Sequence, residues 1–336
     1  MIRFLAFLSV TPKSETMSMH TRRDFLVHSA AAAGAVALGA DRLLAQSYAG
    51  ATQIDAGKLP EMTIARWAVP AAADAAATDK IAAKLIEKAI EALGGMGRFV
   101  HSGDVVWVKP NIGWDRTPEQ AANTNPEIVA AVVRMCFAAG AKKVRVGDNS
   151  CDLPGKCYPA SRIPEAAKRE GAEVLLLDRN RTREVVIGGQ RVKRLPLFPE
   201  FLEADLLINV PIVKDHVLSR ATLCMKNYMG VMEKRNTFHQ AIPDCLVDLT
   251  RFMKPRLCIL DGVRVLKAHG PKGGNLADVV IKNTVAAGID IVALDALGAE
   301  LLGRKPTDIG SVVAGQKAGL GKMDYRSLAL KELAVS

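Results

Sequence analysis

Aromatic side chains are scarce in this chain of 336 residues: Phe, Trp and Tyr together make up 5%. Ala, Val, Leu and Ile carry the apolar content instead. That balance disfavours a sandwich of aromatic-rich strands and suits helices packed on a buried parallel sheet. No C-x-x-C pair occurs, so neither a thioredoxin-like redox motif nor a ferredoxin-type cluster run is encoded. Lys and Arg are scattered, with no run of five or six and no interleaved aromatics, so nucleic acid is not an expected partner. After residue 45 no stretch reaches the roughly 20 uninterrupted apolar residues of a membrane span. Neither G-x-G-x-x-G nor G-x-S-x-G marks a strand-to-helix junction, which argues against a Rossmann cofactor site and an α/β-hydrolase. Gly270-Pro271-Lys272-Gly273-Gly274 lacks the phosphate-loop consensus and reads as a flexible lid.

The chain opens on an address. Thr21-Arg22-Arg23-Asp24-Phe25-Leu26 is a twin-arginine signature, followed by an Ala- and Gly-rich stretch from Ala30 to Ala40 and by Leu43-Leu44-Ala45-Gln46. Residues 1–45 are therefore expected to be a signal peptide cleaved after Ala45, which makes the twin-arginine translocation machinery a partner and the periplasm the destination. That route carries folded proteins, commonly because a cofactor is inserted first, and so hints at a cofactor. Residues 46–78 read as a loose lead-in. Residues 79–336 read as a single α/β domain, with two lobes divided near 200 as the variant. Five basic and three acidic side chains precede Gln46, so the remainder keeps +8 of the formal +10, a balance that attracts anionic ligands.

Regular elements alternate from Thr78 onward. Thr78 or Asp79 is placed to cap a helix reaching Leu93, Asp104–Lys109 is a buried-type strand, and Pro126 opens a helix ending at Gly140. Strands follow at 143–147, 173–177, 205–210 and 256–260, with helices at 163–170 and 289–302, a short strand near 63–67 and a β-hairpin excursion over 184–195. This pattern predicts an α/β fold with a mostly parallel sheet flanked by helices.

Open parallel sheets place ligands beyond the carboxyl ends of their strands. Lys109-Pro110-Asn111, Gly147-Asp148-Asn149, Asn209-Val210-Pro211 with Lys214 and His216, and Asp261-Gly262 occupy those positions. The densest stretch, 205–231, is read as a strand, a loop bearing Lys214, Asp215 and His216, and a short helical segment carrying Lys226 and Asn227 before Gly230. Lysine ammonium with asparagine amide is, in outline, a carboxylate or phosphate receptor. Lys109, Asn111, Lys214 and Asn227 are thus expected to bind a small anion. His216, Lys226, Asp148 and Asp261 are the candidates for proton transfer. His216, His239 and His269 are an alternative set of ligands for a divalent transition metal, with Asp148 or Asp261 beside them. Among the cysteines, Cys136 and Cys258 read as core, whereas Cys151 and Cys157 flank a Pro-Gly loop and are left open between a short disulfide and free thiols.

Together these stretches resemble the domain of unknown function 362 family. The matching pieces are Val108-Lys109-Pro110-Asn111, Thr124-Asn125-Pro126, Val146-Gly147-Asp148, Ile208-Asn209-Val210-Pro211 with Lys214 and His216, Leu223–Gly230, Ile259-Leu260-Asp261-Gly262, His269-Gly270-Pro271 and Ala286–Asp295. Many relatives carry iron–sulfur cluster cysteines that this sequence lacks. A looser similarity of layout to nickel-cofactor lactate racemases implies isomerase-like or metal-assisted chemistry. The leading expectation is a periplasmic enzyme acting on a small anion. The alternatives are a non-catalytic metal or iron–sulfur-related cofactor carrier that matures other proteins, and a redox partner using Cys151, Cys157 and Cys224.

Overall fold

The structure, a computed structural model, describes residues 59–69 and 74–336. The twin-arginine segment, its cleavage point and most of the lead-in lie outside the described residues. β1 (Met62–Trp67), β2 (Val105–Pro110), β3 (Lys143–Val146), β4 (Glu173–Val174), β7 (Leu206–Val210), β10 (Leu257–Leu266), β11 (Val279–Gly288) and β12 (Leu330–Val335) lie side by side in the order β12-β1-β11-β10-β7-β2-β3-β4. β8 (Ile212–His216) adds to the far half of β10, and β9 (Arg220–Thr222) pairs with β8. Most pairings are parallel. The exceptions are β11 against β1 and β10, and β9 against β8. The separate hairpin of β5 (Arg183–Val186) and β6 (Arg194–Leu197) is the expected excursion.

Strand alternation sorts the core into two layers. Val106, Val108, Ile208, Leu257, Ile259, Val285 and Ala287 face α1 (Ala75–Ala92), α2 (Pro126–Ala138), α3 (Pro154–Ser161) and α4 (Ile163–Arg169). Trp107, Leu207, Cys258, Leu260 and Ala286 face the other layer, α5 (Pro199–Leu202), α6 (Cys224–Asn227), α7 (Ile242–Met253), α8 (Ile291–Leu301) and α9 (Gly310–Lys317). The result is an α/β fold with helices on both faces of a mixed, mostly parallel sheet.

Several local expectations shift. Asp74 caps α1 through a hydrogen bond from the Ala77 amide, so the helix starts before Thr78. The short strand expected near 63–67 within the lead-in is present as β1 and sits between β11 and β12. Lys214, Asp215 and His216 belong to a strand, and β10 runs through Asp261-Gly262 to Leu266, so Asp261 is not at a strand tip.

Asp248 of α7 holds the β5–β6 excursion. Its carboxylate accepts the backbone N–H groups of Gln190, Arg191 and Val192 at 2.7–2.9 Å. A Cβ on Gly189 would lie 2.3 Å from the Asp248 side chain, so only glycine fits there. Asp248→Ala would leave three amides without their acceptor and is expected to cost about 2–4 kcal/mol. Hydrogen exchange at residues 190–192 should accelerate well beyond the change at β2 or β7; uniform acceleration would refute the clamp.

Candidate functional site

β2, β3 and β7 end together, and the side chains leaving those ends meet. Lys109 and Asn209 are register partners on the face that also carries Trp107 and Leu207. Lys109 Nζ lies 2.8 Å from Asp148 Oδ1, with both side chains buried, so desolvation lowers the lysine pKa while Asp148 opposes the shift. The other Asp148 oxygen accepts the Ile112 amide at 2.9 Å. Its backbone N–H donates to the Tyr158 hydroxyl at 2.9 Å. Gly230 packs against this pair: a Cβ there would lie 2.0 Å from Asp148 Oδ1 and 2.7 Å from Lys109 Nζ.

A chain of amides runs beside the ion pair. Lys214 Nζ donates to Asn111 Oδ1 at 2.9 Å, Asn111 Nδ2 to Asn227 Oδ1 at 3.0 Å, Asn227 Nδ2 to Asn209 Oδ1 at 2.8 Å, and Asn209 Nδ2 to the Cys224 carbonyl at 2.9 Å. Each amide accepts on its oxygen and donates from its nitrogen, so the whole chain is polarised in one direction. Lys214 also donates to the Ala122 carbonyl at 2.5 Å. It is 1% exposed and, among the described residues, forms no ion pair with a carboxylate. Burial pulls its pKa from 10.5 down to about 7.

Strand periodicity explains why Lys214 and His216 lie on one face of β8 while Asp215 does not help them: residues two apart share a face and the one between points away. Asp215 instead pairs with Arg304 at 2.6 Å and accepts the Gly270 amide at 3.0 Å. His216 Nδ1 accepts the Leu218 and Ser219 amides at 3.1 and 3.4 Å, which leaves the ring proton on Nε2. Burial, reinforced by the charges of Lys226 and Lys214, lowers its pKa to about 3, so the ring is neutral at ordinary pH. Lys226, half-buried on α6, reaches the Met229 sulfur at 3.4 Å, and burial lowers its pKa to about 8.

The expected residues therefore divide. Lys214, Lys226, His216 and Asn111 converge. Lys109 and Asp148 lie beside them but satisfy each other, and Asn227 spends its amide inside the chain of asparagines. Asp261 is engaged elsewhere: its carboxylate accepts the Asn125 amide at the start of α2 and the Val263 amide at 2.8 and 3.0 Å, and burial raises its pKa to about 6. It acts as a buried cap for α2. Of the proposed metal ligands, exposed His239 lies near enough to His216 for its charge to help lower that ring's pKa, whereas His269 is exposed with its ring 2.9 Å from Asp278. Among the described residues no three His, Cys, Asp or Glu side chains form a metal-holding group. Cys151 and Cys157 are free thiols, and Cys157 and Cys224 are buried, which removes them from a surface redox set.

Sequence reasoning missed Asp295. It is fully buried in the apolar helix α8 and accepts the Cys224 and Met225 amides at 2.6 and 3.1 Å, pinning the first turn of α6 and hence Lys226 and Asn227. Burial raises its pKa to about 7. A lone carboxylate amid Ile-Val-Ala-Leu was the available signal.

Fold and cleft define a class of α/β protein: buried lysines, backed by asparagines, at the carboxyl edge of a mostly parallel sheet. The chain belongs to the family described as Domain of unknown function (DUF362), whose profile matches residues 106–300. It is 30% identical over 251 residues to the thylakoid-associated protein sll1697 of Synechocystis sp., covering 69% of this chain and 73% of that protein. The lactate racemase apoprotein of Thermoanaerobacterium thermosaccharolyticum is a structural neighbour with TM-score 0.44 and 13% identity, over 71% of this chain and 56% of that one. This chain thus spans little more than half the length of that structure. Among the described residues no helix is long and apolar enough to cross a membrane.

Gly230→Ala is expected to split the Lys109–Asp148 pair and to destabilise the fold by about 3–5 kcal/mol, the usual cost of breaking a buried ion pair. Urea unfolding measures this; a loss below about 1 kcal/mol would mean the pair re-forms around the added methyl.

Proposed function

We propose that this chain is an enzyme that binds a small carboxylate or phosphate anion in the Lys214–Lys226–His216 cleft. The observation that carries the reading is Lys214, a buried lysine with oxygen partners but, among the described residues, no carboxylate at ion-pair distance. A bound anion would supply that charge. Lys226 holds the anion from the half-exposed side, and neutral His216 offers an Nε2–H donor. Lys214, with a pKa near 7, is the group able to take and return a proton under physiological conditions. His216 is less suited as a base, because its free lone pair is already spent on two amides.

The pH dependence follows from the two lysines. Anion binding favours their protonated forms, whose pKa values lie near 8 and near 7 in the free protein. Affinity for a small carboxylate, whose own charge is constant in this range, should therefore strengthen as pH falls from about 9 to about 6.5 and then level off. Lys226→Gln should weaken binding about 10- to 100-fold, the scale of one charge-assisted hydrogen bond. Calorimetric titration across that range tests both points, and an affinity that is flat in pH and indifferent to Lys226 refutes the site. Without ligand the sign reverses for stability. The unfolded chain binds the Lys214 proton more tightly, so stability rises with pH between about 7 and 10.5, and Lys214→Met should lack that rise.

Export to the periplasm is part of the same reading. It is supported by the Arg22-Arg23 signature and accords with a relative named for its association with thylakoids. Replacing both arginines by lysine should leave the precursor in the cytoplasm, as fractionation and the mass of the processed chain would reveal. Normal processing of that variant would rule the pathway out.

A further inference from the structure

One chemically active side chain at this cleft has no part in the scheme above. Cys151 is an exposed free thiol in the loop after β3. Its backbone N–H donates to the Gly113 carbonyl at 2.9 Å, which ties that loop to the segment after Asn111. A Cβ on Gly113 would fall 3.2 Å from Asn111 Oδ1, 3.9 Å from Lys214 Nζ and 4.0 Å from Cys151 Sγ. The buried Lys214 ammonium, its asparagine partner and the thiol thus all lie within 4.0 Å of one point beside Gly113. Arg235 closes the outer edge: its guanidinium donates to Cys151 Sγ at 3.2 Å and is fixed by the Asn149 and Ser150 carbonyls at 2.9 and 2.6 Å. The acid next in sequence, Asp152, is partly drawn off by Lys272 at 3.7 Å. Lys109, Lys214 and Lys226 each lie close enough to feel a charge on the Cys151 sulfur.

We propose that Cys151 is a ligand-facing nucleophile of the anion site, placed to add to an electrophilic carbonyl carbon of a small molecule whose anionic group is held by Lys214 and Lys226: the sulfur–carbon bond forms as the carbonyl π pair moves onto its oxygen, which takes up the proton given up by the thiol. This rests on the anion-binding reading and adds to it a covalent partner beside Gly113. The cationic groups around the sulfur concentrate anionic electrophiles at it.

Iodoacetate and iodoacetamide react by one route and differ in charge, so together they read the local field. The Cys151 sulfur forms a bond to the methylene carbon, the carbon–iodine bond breaks with iodide taking the electron pair, and the thiol proton passes to buffer. Alkylation of Cys151 in the full-length folded chain, followed by peptide mass spectrometry, should give an iodoacetate-to-iodoacetamide rate ratio about tenfold above that of the same cysteine in the urea-unfolded chain. Inorganic phosphate should protect Cys151 against iodoacetate, and Lys226→Gln should bring the ratio toward the unfolded value. A folded-chain ratio equal to the unfolded one, or no protection by phosphate at concentrations that saturate calorimetric binding, overturns the thiol assignment while the anion site stands. If phosphate does not bind at all, the site reading itself fails, and the proposal with it. Retention of the high ratio in Lys226→Gln also counts against the proposal, since the thiol would then take its preference from elsewhere.

Discussion

An ammonium group taken out of water must find oxygen atoms to receive its protons, and preferably a negative charge. The carboxyl edge of this sheet buries two such groups, and the local architecture follows from how each is accommodated. Lys109 receives a carboxylate, Asp148, delivered by the next strand. Lys214 receives a carbonyl and the oxygen of Asn111, which opens the polarised line Asn111–Asn227–Asn209–Cys224. That line links β8, the loop after β2, α6 and β7 by side-chain hydrogen bonds alone. Gly230 is small because the first solution leaves no room for a methyl group, and Asp295 is charged or protonated in an apolar helix because α6 must start where the line needs Asn227.

The two solutions differ in what they leave for a ligand. The Lys109–Asp148 pair is neutral as a unit and closed on all sides, so it braces the cleft without competing for anions. The positive character of the opening therefore comes from Lys214, Lys226 and Arg235. His216 could have added to it but is kept neutral by burial and by those same lysines, and its two backbone donors fix which nitrogen carries the proton. A neutral imidazole with Nε2–H turned outward donates a hydrogen bond without raising the cost of assembling like charges. The acid that might have quenched Lys214, Asp215, points to the opposite face of the strand and is consumed by Arg304 and the Gly270 amide.

Much of the fold was legible because strand and helix periods in the central segment are clean: β2, β3, β7, α2, α4 and α8 fall within a few residues of their expected bounds. What escaped had a consistent cause. Lys-Asp-His at 214–216 has the composition of a loop, and only pairing with β9 and β10 makes it a strand. Asp261-Gly262 looks like a turn, but Gly262 serves a close approach to Leu301 and the Thr284 carbonyl within a continuous strand. In each case a tertiary contact overrides local composition. At the site, residue types disclosed which side chains would gather but not how they would pair. Asn227 was visible as a partner of Lys226, yet whether its amide faced a ligand or two other asparagines depends on strand register, which the sequence does not spell out. Cys151 stood out through its proximity to Cys157, a relation the structure leaves unused, rather than through Gly113, whose significance is the space it leaves.

The arrangement is poorly explained by stability. A buried lysine whose pKa has fallen to about 7 makes the folded state weaker at every pH below about 10, and an apolar side chain of similar length would fill the same volume without that cost. The asparagine chain reduces the cost but does not cancel it, because amide oxygens carry only partial charge. A local loss of this kind is what a binding site accepts when the missing charge arrives with the ligand: the free protein holds the cation desolvated in advance, and the anion that enters gains an interaction less screened than any it had in water. Under the proposed anion-binding function Lys214 would be the chemical centre of the site, with the mutually satisfied Lys109–Asp148 pair as its scaffold.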